Sequence, residues 1–204
     1  MSVIWAHLWY GLACASFGLF HSLLARSSTK SPLHRTFGPF YRLAYNVFAI
    51  LHLAAVLVAG HYLLAGMPGF AFTDWAASAL MAVNLCGWVL MLVGLAGYDL
   101  GRLGGTGQIR NHFKGIVEPE DEPLRTDGLH RFVRHPVYSA GFLILWGRVV
   151  DEFSLATALW GSAYLVIGTF FEERWLLNHY GQSYAEYCKR VPAFIPWKGR
   201  QPKC

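Results

Sequence analysis

The chain has 204 residues, of which 54% are hydrophobic, 16% aromatic and only 14% charged, and its formal net charge is +5. The length suits one domain, but this balance is not that of an ordinary water-soluble one. The basic excess follows from membrane orientation, as set out below, and no nucleic-acid partner is predicted.

About 20 apolar residues cross a bilayer core, and five candidate spans are predicted. The first runs from Val3 to Ala25. It has no basic residue before it, and "HSLLARSSTK" makes a poor cleavage site, so it reads as a retained span rather than a signal peptide. The second covers Leu43 to Ala65 and the third Trp75 to Tyr98. The fourth, Val137 to Val150, is short for a full crossing; completion by residues near Arg134 or Arg148, a tilt, or a tight hairpin with the fifth, Phe153 to Phe171, would each accommodate it. The expected fold is therefore all-α: a polytopic membrane protein with about five transmembrane helices. Residues 1–98 form a three-helix membrane region and residues 99–204 a cofactor-binding core.

Spans one and two hold His7, His21, His52 and His61. Paired histidines on two spans are one way to hold a haem, but their depths do not obviously match. Hydrogen-bonded helix packing is the reading preferred. Of the cysteines, Cys14 and Cys86 fall inside spans, Cys188 and Cys204 outside, and no CxxC pair occurs. Neither a disulfide framework nor a metal site is predicted.

After span three comes "YDLGRLGGTGQIRNHF", with Gly101, Gly104, Gly105 and Gly107. Such glycines permit close backbone approach to a ligand, and a flexible turn leaving span three is the plainer reading. They follow a helix rather than a strand, so this is no dinucleotide fingerprint. "EPEDEP", Glu118 to Pro123, reads as a solvated linker.

"LRTDGLHRFVRHPVY" follows. Pro136 suits a first helical turn, whose free N–H groups and dipole favour a carboxylate or ring nitrogen. His135 and Tyr138 sit three apart across that start. An interfacial reading competes, with Arg134 toward headgroups and Tyr138 in an aromatic belt. Glu172 and Glu173 then close the last span, where acidic residues are costly and usually functional. Pairing with Arg174 is the plain alternative, and a sulfonium or ammonium would be a natural partner. "YGQSYAEYCKRVP" reads as an amphipathic helix stopped by Pro192, with Tyr180, Tyr184 and Tyr187 packing.

Lys and Arg set the orientation. Arg26, Lys30, Arg35 and Arg42 follow span one. Arg102, Arg110, Lys114, Arg125, Arg131 and Arg134 follow span three, and Lys189, Arg190, Lys198, Arg200 and Lys203 lie in the tail. The N-terminus is predicted outside and the C-terminus in the cytoplasm, as for a bacterial inner-membrane protein. The dense polar motifs then share the cytoplasmic face.

Together these motifs resemble the isoprenylcysteine carboxyl methyltransferase family of small membrane enzymes. The resemblance rests on Leu124, Thr126, Gly128, Arg134-His135-Pro136, Tyr138, Glu172-Glu173, Gly181, Tyr184, Tyr187 and Arg190-Val191-Pro192, and covers roughly the C-terminal two fifths of the chain. The N-terminal half and the "GTGQ" segment are similar to the methanethiol S-methyltransferase and NnrU-like branches. The resemblance implies S-adenosylmethionine as cofactor, held at the cytoplasmic face by Leu124, Arg125, His130, His135, Pro136, Tyr138, Glu172 and Glu173. His130 stands where the family has tyrosine. No catalytic base is assigned; His135 and Tyr138 are candidates by type. Prenylcysteine enzymes carry an arginine four residues before the first glutamate. Here that position is Gly168, which cannot pair with a carboxylate, so a small or apolar acceptor, above all a thiol, is expected. Arg148 would replace it only from the cytoplasmic side. Two alternatives stand beside this reading: an NADPH-dependent sterol-type reductase, and a non-enzymatic NnrU-like haem or respiratory accessory protein.

Overall fold

A computed structural model of the chain describes residues 2–25, 33, 35–64, 66–116 and 123–198. Arg26 and Lys30, most of the acidic linker, Arg200, Lys203 and Cys204 lie outside the described residues.

The described residues contain helices and no strand. Helix α1 spans Val3–Ala25, a 3-10 turn at Gly38–Phe40 leads into α2 (Tyr41–Leu64), and α3 spans Asp74–Leu95. Two short helices follow, α4 (Leu100–Gly104) and α5 (Thr106–Phe113), then a 3-10 turn at Gly128–Arg131. Helices α6 (Pro136–Trp146), α7 (Glu152–Tyr180) and α8 (Gln182–Arg190) complete the order. Among the described residues, α1, α2 with its lead-in, α3 and α7 are long and apolar enough to cross a bilayer, and α6 is a shorter apolar helix. Their outward side chains are large and apolar, among them Ile4, Trp5, Ile50, Leu51, Trp75, Val89, Leu92 and Ile167. In water each would cost roughly 25 cal/mol per Å² exposed; against lipid tails they cost nothing. The protein is an integral membrane protein, and its described residues include four helices of spanning length and one shorter apolar helix.

Two segments depart from their expected bounds. The fourth apolar segment is helical for only 11 residues, because the chain turns at Gly147. The fifth continues 29 residues, past the acidic pair, to Tyr180. Charge ends an apolar run without ending a helix; Gly181, at φ 55°, does that.

The chain forms two compact units. The first comprises Met1–Pro68 and Tyr98–Glu120. In it α1 and α2 run antiparallel, with the buried ring of Tyr10 lying where a side chain on Gly60 would stand. Midway, Ser16 Oγ and His52 Nε2 lie 3.1 Å apart, and a turn further His21 Nε2 meets the Tyr45 hydroxyl at 2.8 Å. The glycine-rich segment packs on α2. Asn46 Nδ2 donates to the carbonyls of Leu103 (3.0 Å) and Gly104 (2.9 Å). Gly105, at φ 102°, lies so close to the Leu43 backbone that a Cβ would overlap it. The glycines here allow backbone to approach backbone.

The second unit comprises Gly69–Gly97 and Asp121–Cys204. Small residues set its register. Gly87 faces Ile144, Gly94 faces Val137, and Gly147 faces Asn84, so α3 and α6 are antiparallel and close. Asn84 Nδ2 donates to the Ile144 carbonyl at 2.8 Å. Asp151 and Ser154 form a capping box that starts α7 and closes the hairpin. Gly141 against Leu165 and Gly161 against Leu145 align α7 beside α6. That antiparallel register returns the far end of α7 to the first turn of α6.

Candidate functional site

The register brings Glu172 and Glu173 to His135. His135 is 6% exposed and is the residue just before Pro136, the first of α6. Its Nε2 lies 3.0 Å from Glu173 Oε1 and its Nδ1 3.7 Å from Glu172 Oε2. A carboxylate only accepts, so Nε2 carries the proton of the shorter contact. Arg134 donates to the same Glu173 oxygen through Nε at 2.8 Å and through Nη2. Its Nη1 donates to the Val191 carbonyl. Burial works against the Arg134 charge, but the Glu173 carboxylate outweighs it and raises the guanidinium pKa. Arg134 thus belongs to the site and is not free to reach headgroups. Arg174, the plain partner for the acids, instead lies 4.2 Å over the Phe170 ring.

The two acids differ. The side chain of Glu173 is 27% exposed and committed to Arg134 and His135, while that of Glu172 is 42% exposed with only the longer His135 contact. Tyr138 stacks on His135, ring centroids 5.4 Å apart and planes 12° apart, and Phe194 tilts against the His135 ring at 5.9 Å. The result is an aromatic wall beside one accessible carboxylate.

The chain after α8 frames this wall. The N–H groups of Arg134 and His135 donate to the carbonyls of Pro192 (2.8 Å) and Ala193 (3.0 Å). Ser139 Oγ donates to the Phe194 carbonyl at 2.8 Å. Tyr184, Tyr187 and Val191 form a buried cluster packed by Leu124, Leu176, Tyr180 and Cys188. Burial raises the Tyr184 and Cys188 pKa values, so both stay neutral.

Among the predicted cofactor residues, His135, Pro136, Tyr138, Glu172 and Glu173 are brought together. Leu124 packs under α8. His130 is one step removed: its Nδ1 donates to the Arg134 carbonyl at 3.0 Å, its own carbonyl accepts from the Tyr187 hydroxyl at 2.7 Å, and burial lowers its pKa. Arg125 donates to Asp127 at 3.0 Å and to the Gly97 carbonyl, tying this loop to the exit of α3. Gly97 has no side chain where the Arg125 guanidinium lies. Ser139 and Phe194 were not legible from sequence. Ser139 lies four residues after His135 on α6, a spacing that offers a signal for it; Phe194 follows a helix-stopping proline and offers none.

An all-helical membrane frame that brings paired acids to a buried histidine finds its matches among membrane methyltransferases. The profile of the phospholipid methyltransferase family matches residues 78–183, and the chain belongs to that family. It is 30% identical to methanethiol S-methyltransferase 1 of Bradyrhizobium diazoefficiens over 92% of this chain and 66% of that protein. With the methanethiol S-methyltransferase of Crocosphaera subtropica it shares 28% identity over 91% of this chain and 72% of the relative. The protein-S-isoprenylcysteine O-methyltransferase of Schizosaccharomyces pombe is 34% identical over 44% of this chain and 40% of its own length. The chain thus spans 66% and 72% of the length of these two S-methyltransferases. No solved structure matches it.

Proposed function

We propose that the protein transfers a methyl group from S-adenosylmethionine to a small thiol at the cytoplasmic face of a bacterial inner membrane, with its N-terminus outside. The observation that carries this reading is the accessible Glu172 carboxylate beside the buried His135–Tyr138–Phe194 rings. A cationic nucleoside fits such a surface, with a carboxylate for its charge and aromatic faces for its base. S-adenosylmethionine, when bound, supplies an electrophilic methyl on a sulfonium.

The chain's own residues bind and orient. Glu173 fixes His135 by accepting from Nε2, and Arg134 fixes Glu173. Glu172 holds positive charge in the ground state; since that charge is lost as the methyl leaves, its contribution is to binding and alignment. A thiol reacts as thiolate. A receiver for its proton is Nδ1 of His135, which then carries its charge between two carboxylates. Leu124 and His130 support this wall from beneath and behind.

The acceptor follows from Gly168, one turn before Glu172. Among the described residues, and apart from the adjoining turns of its own helix, nothing lies within 4 Å of the position a Cβ would take there. Among the described residues no cation stands there to pair a substrate carboxylate, and the opening leaves room for a small apolar group. The S-methyltransferase relatives point the same way. A tritiated-methyl screen of the purified protein across small thiols, prenylcysteines and phospholipids tests this. Transfer to small thiols is expected; binding of NADPH without S-adenosylhomocysteine would overturn the reading.

A further inference from the structure

The strap after α8, residues 191–198, is anchored on one side and bare on the other. Its inner side supplies the carbonyls of Pro192, Ala193 and Phe194 to Arg134, His135 and Ser139. The Phe194 ring also packs edge-on against Phe142 at 5.2 Å. Its outer side exposes Ile195 (67%) and Trp197 (68%). Lys198 folds the strap's end back on α8, its Nζ donating to the Lys189 carbonyl at 2.6 Å. Between Gln182 and Lys198 stand the cations Lys189, Arg190 and Lys198 and one carboxylate, Glu186, which Lys189 meets at 2.9 Å, so the segment keeps a net positive charge.

The strap's depth follows from its contacts. Phe194 meets His135 and Ser139, and His135 meets Glu173. Glu172 and Glu173 stand where the uncharged run 153–171 ends. Ile195 and Trp197 therefore sit at the polar edge of the apolar zone, where tryptophan settles in a bilayer.

We propose that Ile195 and Trp197 insert into the headgroup layer of an anionic bilayer, drawn there by Lys189, Arg190 and Lys198, and that this contact holds the strap's carbonyls on Arg134 and His135. The charged site is then fully assembled only against anionic lipid. Basic side chains next to an apolar anchor fit that surface, and neither a neutral bilayer nor water offers them a counter-charge.

Hydrogen–deuterium exchange of the full-length protein in lipid nanodiscs tests this, with no methyl donor present. Discs of phosphatidylcholine alone are compared with discs that also contain phosphatidylglycerol. The Arg134 and His135 amides are expected to exchange about fivefold faster in neutral discs for each cation that engages the surface. Lys189→Gln with Lys198→Gln, which keeps a donor for the Lys189 carbonyl, should give the neutral-disc rate in anionic discs. Trp197→Asp should do the same, with α1–α2 amides unchanged as the folding control. Equal exchange in both lipids would overturn the proposal. Protection that tracks the number of copies per disc, rather than lipid charge, would assign the patch to a second copy and equally overturn it.

Discussion

The antiparallel pairs α1–α2 and α6–α7 each place histidine against a partner, but with opposite electrostatics. On α1–α2 the partners are neutral: Ser16 for His52 and Tyr45 for His21, with Phe17, Phe20 and Phe48 around the His52 ring. At the end of α6–α7 the partners are charged, with Arg134 and His135 converging on Glu173 and Glu172 standing by. Neutral hydrogen bonds suit a seam within the bilayer, where an isolated charge is costly. Charges gather where the apolar run stops. Residue type alone does not separate packing from chemistry; the partner does.

The sharpest break in this comparison is Glu173→Ala. It strips the shared acceptor from Arg134 and His135 and leaves a buried guanidinium without its carboxylate. Removing one partner of such a pair costs about 3 kcal/mol. Thermal unfolding in detergent should show that loss, together with loss of S-adenosylhomocysteine binding. An unchanged melting temperature would mean that Glu173 does not organise the site.

Next in size is Gly87→Ala. A Cβ there would lie 2.7 Å from the Ile144 amide nitrogen, backbone that cannot step aside. Overpacking of this kind costs about 2 kcal/mol. It should also move the start of α6 against α3, so donor affinity should fall with stability. Affinity unaffected by a clear stability loss would show that the site does not depend on this register.

Glu172→Gln separates binding from stability. Its carboxylate is accessible and little engaged, so melting should not change. S-adenosylmethionine should bind about tenfold more weakly, the worth of one charge-assisted contact, while the product S-adenosylhomocysteine, which lacks the sulfonium charge, should bind as before. Equal weakening of both, measured by calorimetry, would take the sulfonium away from Glu172.

Much of the α6–α7 end was legible in sequence because its chemistry is dense and local. Pro136 marks a helix start, and an acidic pair ending an apolar run marks a boundary. What was not legible depended on tertiary register. Arg134 reads locally as a headgroup anchor, and only the hairpin shows that Glu173 claims it. The resemblance assigns Arg125 to the cofactor, and only the fold shows that its guanidinium also donates to the Gly97 carbonyl. The glycines at 105 and 107 read as a turn or a place of close backbone approach, and only the fold shows what approaches: the backbones of Leu43 and of Gly101 and Arg102. Helix length was misjudged wherever hydropathy and helicity part company, as beyond Glu173.

The smallest expected effect lies on the neutral side of the comparison. His52 Nε2 meets Ser16, whose hydroxyl also donates to the Ala13 carbonyl at 2.7 Å, so Nε2 is the donor and Nδ1 carries the lone pair. Nδ1 is buried without a hydrogen-bond partner. His52→Phe therefore removes one interhelical hydrogen bond and one unsatisfied acceptor while keeping a ring among the three phenylalanines. Interhelical hydrogen bonds in bilayers are worth about 0.6 kcal/mol, and relief of the orphaned acceptor offsets part of that. Melting should shift by no more than this, and the affinities for S-adenosylmethionine and its product should not change. A large loss of binding or transfer in His52→Phe would make the seam part of the chemistry, and the contrast between neutral packing and charged site would fail.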